Sequence, residues 1–102
     1  MMKELLDWLR LQKGALLTYR EFQRRGLALL ADHPEQAALA RLLVDLAGRF
    51  ADAYDGEPLA INVAEQALGR LTEFVEMAER TKAAPPEERL ALLNKIGAAE
   101  LA

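Results

Sequence analysis

Apolar positions recur at intervals of three and four through most of the chain, the spacing that lines one face of an α-helix, and Gly and Pro punctuate them into five segments. The first, residues 2–13, sets Met2, Leu5, Leu6 and Leu9 on one face with Trp8 at its edge. Lys13 falls in its last turn, where a cation suits the helix dipole, and Gly14 stops it. The second, 19–31, starts at Thr18-Tyr19-Arg20-Glu21, the pattern of a capping box: Thr18 accepts from the N–H of Glu21, whose carboxylate reaches back to the N–H of Thr18. Leu17 and Phe22 flank that start at the spacing of a hydrophobic staple. Tyr19, Phe22, Gly26, Leu29 and Leu30 form the inner face.

Asp32-His33-Pro34 predicts a turn, with Asp32 or His33 capping the next helix and Pro34 in its first turn. That helix, 34–54, carries Leu39, Leu42, Leu43, Leu46, Phe50 and Tyr54, and Arg41, Asp45 and Arg49 make an opposite stripe with the spacing of ion pairs. Asp55-Gly56-Glu57-Pro58 breaks the pattern, with Gly56 as a left-handed stop. Over 59–83 the residues Ile61, Ala64, Leu68, Leu71, Val75 and Ala78 follow a seven-residue repeat, widened by Val63, Ala67, Phe74 and Met77. So broad an apolar face predicts two neighbours, as in a bundle. Ala84-Pro85-Pro86 opens a last helix, 86–97, with Glu87 and Glu88 at its positive end and Gly97 fraying the tail. The short connections predict antiparallel neighbours. The expected fold is therefore all-α: one domain over 1–102, a compact antiparallel bundle of four or five helices.

Composition supports this and adds one consideration. Leu supplies 20 residues and Ala 19, against eight β-branched residues, a balance that favours helices over a sheet. Apolar residues and Gly make up 57 of 102, above the usual ~45–50%. A chain of this size hides only about 65% of its unfolded surface when it folds alone. The surplus predicts that a second copy covers part of a Leu-rich face, the common closed arrangement being a homodimer. Leu5, Trp8 and Leu9, with Leu68, Leu71 and Val75, are the candidates for core or partner contact, two roles that periodicity does not separate.

The net charge is −3, but residues 1–30 carry six basic and three acidic groups and the rest of the chain seven basic and thirteen acidic. Such opposite balances help two parts of a chain pack. Glu4, Asp7 and Arg10 interrupt the first apolar stretch, so it does not read as a secretory core, and no segment approaches the ~20 apolar residues that span a bilayer. A cytoplasmic protein without a membrane partner is the expectation.

Candidate chemistry is sparse. Cys and Ser are absent, three Thr remain, and His33 is the sole imidazole, with Asp32 and Glu35 its only acidic neighbours in sequence. Activated nucleophiles need a base beside them. Glu73, Glu76 and Glu79 repeat every three residues without a His, and Glu76 has Arg80 at i+4, so a solvated face explains them better than a metal site. No Gly-rich phosphate loop occurs, and neither a cofactor nor a catalytic residue is expected. The sequence thus reads as a non-enzymatic interaction or assembly module that self-associates.

A second reading takes 19–31 and 34–54 as a helix-turn-helix on DNA, with Arg20, Arg24, Arg25 and Arg41 as candidate contacts and Gln36 as a base reader. Glu35 at the start of the recognition helix and the pairing of Glu21 with Arg25 weigh against it.

Overall fold

Helix boundaries are set here as much by what each end touches as by propensity. A computed structural model describes residues 2–102 and contains, among them, five α-helices and no strand. The helices are α1 (Met2–Arg10), α2 (Leu16–Asp32), α3 (Ala37–Ala53), α4 (Ile61–Arg80) and α5 (Pro86–Gly97), with a 3-10 turn at Pro34–Gln36.

α1 ends three residues earlier than its periodicity predicts. The N–H groups of Leu11 and Gln12 turn back to the carbonyls of Trp8 and Leu9 at 3.1 and 3.0 Å, tightening the last turn. Lys13 therefore lies in the connection and Arg10 takes its place in the last turn. Gly14 sits where the chain passes α4: a Cβ there would stand 2.8 Å from the Ala64 carbonyl oxygen. That close approach, rather than a positive φ, is why the position suits Gly.

α2 starts three residues before the predicted start at residue 19. Ala15 precedes it in extended conformation with no side-chain cap. Thr18 is inside the first turn, and its hydroxyl donates to the Lys13 carbonyl at 2.5 Å, stitching the connection to the helix. The capping box does not form, because the Glu21 carboxylate is taken by Arg24 and Arg25. Nor does the staple: Phe22 is fully buried while Leu17 is 82% exposed. At the far end neither Asp32 nor His33 caps through its side chain; the His33 N–H closes α2 on Leu29 at 2.8 Å.

The 34–54 segment divides into the 3-10 turn and α3, and α4 is shorter at both ends than 59–83. Residues 81–84 form a turn after it, and Thr81 donates to the Met77 carbonyl at 2.8 Å. Gly56 does adopt the left-handed conformation, with φ +75°. α5 has the expected bounds.

α2 and α3 form the most extensive pairing. Arg20 meets Asp52, Gln23 lies over Gly48, and Gly26 touches Val44, so the two run antiparallel as a hairpin. α1 lies mainly against α4 rather than against its sequence neighbour α2. Leu9, Tyr19, Phe22, Leu46, Leu71 and Val75 are fully buried between these layers. Tyr19, Phe50 and Tyr54 stack in tilted contacts with ring centroids 4.7 and 5.0 Å apart.

The tail does not simply fray after Gly97. Leu101 is buried in the core, and Arg49 and Arg70 donate to the carbonyls of Ala99 and Glu100 at 3.1 and 2.6 Å. Two guanidiniums from α3 and α4 thus satisfy backbone acceptors that a short, non-helical segment cannot pair internally.

The accessible surface is 6053 Å². A monomer of this mass is expected to show about 5,700 Å². Part of the apolar surplus stays on the surface as Ala: ten of the nineteen alanines are exposed. No helix among the described residues is long and apolar enough to cross a membrane.

Candidate functional site

Four of the six residues named for core or partner contact lie in the core of the single chain: Leu5, Leu9, Leu71 and Val75. Trp8 and Leu68 are half-buried and pack against it. The structure gathers these residues of α1 and α4 in or against one core, with Trp8 also meeting Arg25 of α2, which leaves the unpartnered apolar surface to other side chains.

Among the large apolar residues, Leu11 and Leu17 are each 82% exposed and Ile61 is 77% exposed. Leu11 lies just beyond α1, Leu17 in the first turn of α2, and Ile61 at the first position of α4. Those three element ends border one cleft of about 790 Å³, whose apolar lining includes Leu16, Leu59, Ile61 and Leu68. Lys13 and Glu65 also line it. Both are exposed, and among the described residues neither has an ion-pair partner. Fully burying a Leu or Ile side chain is worth about 1.5–3 kcal/mol, a gain that these three exposed side chains do not realise within the chain.

The periodicity put Ile61 inside because it begins the seven-residue repeat. As the first residue of α4 it has no preceding turn to carry it under a neighbour. The signal that could have marked the face is the Leu16-Leu17 pair. Adjacent helical residues stand about 100° apart, so at the edge of an apolar stripe one of two consecutive leucines, here Leu17, points out.

The basic side chains of α2 are engaged within the chain. Arg20 binds Asp52 at 2.8 Å, and Arg24 grips Glu21 through Nε and Nη2. Arg25 lies 3.2 Å from Glu21 and stacks over the Trp8 ring at 4.6 Å from its centroid. The Arg24 hydrogen bonds hold the Glu21 carboxyl below the ordinary range, and Glu21 in turn raises Arg24. A phosphate would have to displace these partners. Gln36 is half-buried in the wall of a small cleft of about 130 Å³ with Lys82 and Arg89, and Arg41 is exposed on α3. A helix-turn-helix sets its helices at about 90–120°, whereas α2 and α3 form an antiparallel hairpin.

Most of the candidate groups named from the sequence have partners within the chain. Thr18, Thr72 and Thr81 each donate to a backbone carbonyl, at 2.5, 2.7 and 2.8 Å. His33 Nδ1 lies 3.4 Å from Glu35. Glu76 pairs with Arg10 on α1 at 3.3 Å, not with Arg80, and Glu79 pairs with Lys82 at 2.8 Å. Arg49 reaches Glu100 at 3.5 Å rather than Asp45. Among the described residues no three His, Asp or Glu side chains converge as a metal site would require.

The one large pKa shift belongs to a structural group. Tyr19 is fully buried, its hydroxyl donates to the Ala64 carbonyl at 3.2 Å, and burial pushes the phenol up from 10.0 to about 12. The native state thus holds this proton more tightly than the unfolded chain does. Its contribution to stability is complete below about pH 10 and is lost as pH rises through about 12. The stability difference between the protein and Tyr19→Phe, measured by urea unfolding, is expected to stay constant below pH 10 and to shift in favour of the variant above it. A difference independent of pH over that window contradicts the assignment.

No protein-family model, curated protein or solved structure matches the chain.

Proposed function

We propose that the protein is a non-enzymatic helical interaction module that works as a homodimer. The observation that carries this reading is the apolar cleft walled by Leu16, Leu59 and Leu68 in which Ile61 stays exposed, with exposed Leu11 and Leu17 next in sequence to its lining residues Gln12 and Leu16, in a chain whose other leucines are mostly covered. Single exposed leucines are ordinary on a protein surface, but several around a cleft mark a contact site. The engagement of the Thr hydroxyls by backbone carbonyls supports the absence of a nucleophile. A stable interface buries about 800 Å² per partner, so it would take roughly an eighth of the surface. Sedimentation equilibrium across micromolar concentrations is expected to show a reversible dimer. A monomer throughout that range overturns the proposal.

A further inference from the structure

We propose that the dimer is two-fold symmetric and forms through the cleft between the α1–α2 connection and the start of α4, with Lys13 of each copy paired to Glu65 of the other. This rests on the self-association reading and adds its location and its chemistry. A two-fold interface must be self-complementary: whatever one copy projects, the same face of the other must receive. This face carries both halves. Leu16, Leu59 and Leu68, all half-buried, wall the cleft, and Ile61 lines it while remaining 77% exposed, so a projecting side chain and a recess lie on the same face. A second copy seated there would cover a side chain that the subunit leaves wet.

The charges follow the same logic. Lys13 and Glu65 flank one cleft, have opposite sign, and are without an ion-pair partner in the subunit. Their neighbours in sequence are otherwise used: Gln12 donates to the Trp8 carbonyl at 3.1 Å, and Gly14 lies on Ala64. Antiparallel docking of two such faces satisfies both charges twice, once on each side of the axis. A surface presenting only one sign would repel its own copy.

The test is charge exchange read by sedimentation. Lys13→Glu places two acidic pairs across the axis and Glu65→Lys two basic ones, so each single variant is expected to dimerise about tenfold more weakly. An equimolar mixture of the two should form a heterodimer with near-original affinity, and the double variant Lys13→Glu/Glu65→Lys should recover its homodimer. Ile61→Asp is expected to abolish association, whereas Leu90→Asp, at an exposed site on α5, should leave it unchanged. Circular dichroism verifies the fold of each variant, all of them at exposed positions. If the unaltered protein is monomeric, the self-association reading itself is lost. If it dimerises and the single reversals do not weaken it, or the mixture fails to restore it, the module still self-associates but this location is wrong.

Discussion

Phe22→Ala is expected to lower the unfolding free energy by about 3–5 kcal/mol, against a total of about 5–15 kcal/mol for a domain of this size. The ring is fully buried in α2, in the layer shared by Tyr19, Leu43 and Leu46. Truncation removes its transfer free energy and leaves a void that helices fixed on several sides cannot close. The tight approach of α2 to α3 at Gly26 restricts such a collapse further. Leu17→Ala, five positions away on the same helix, removes a side chain that is 82% exposed and should change stability by no more than about 0.5 kcal/mol. Urea denaturation at low protein concentration, where any self-association is minimal, separates the two effects. Equal shifts of the midpoint for both variants would mean that Leu17 and Phe22 share one environment, as the staple spacing predicts, and that the start of α2 is misplaced.

That comparison marks the limit of what the sequence discloses. Long stripes are legible because many positions vote for the same face: Leu43, Leu46 and Phe50 in α3, and Leu71, Val75 and Ala78 in α4, all lie inside. Helix ends depend on one or two side chains that have competing partners. Thr18 and Glu21 have the spacing of a capping box, yet the Thr18 hydroxyl finds the Lys13 carbonyl and Glu21 finds two arginines. A hydrogen bond to a carbonyl that a loop brings close is as good as the local one, and sequence spacing does not report loops. The burial of Leu101 was hidden for a similar reason: it joins a core built from distant helices, and the backbone just before it is held by Arg49 and Arg70 through the carbonyls of Ala99 and Glu100. The proposed interaction face was legible only as a surplus of apolar residues. Its location depends on α1 packing against α4 instead of α2, a choice between two broad stripes that periodicity leaves open.

The α2–α3 hairpin offers a sharp test of packing against propensity. Ala is favoured over Gly inside a helix by about 0.5–1 kcal/mol, so propensity alone predicts that every mid-helix Gly→Ala change stabilises. At Gly69, exposed within α4 with nothing within 4 Å of a new Cβ, that full gain is expected. At Gly48 the nearest atom is the Gln23 amide nitrogen, 2.5 Å away at the end of a flexible side chain that can swing aside, so the change should be close to neutral. Gly26 is different, because its new Cβ would overlap the Cγ2 methyl of Val44. Val44 is β-branched, buried, and held near one rotamer in a helix, so the overlap can be relieved only by moving α2 away from α3. Overpacking of this kind costs about 1–3 kcal/mol, which exceeds the propensity gain and reverses the sign. Gly26→Ala should therefore destabilise, and Val44→Ala, which deletes the obstructing methyl, should make the same change at residue 26 favourable. A double-mutant cycle read by urea midpoints measures that coupling directly. If Gly26→Ala instead stabilises as much as Gly69→Ala, the helices are not in the close contact on which the hairpin register depends.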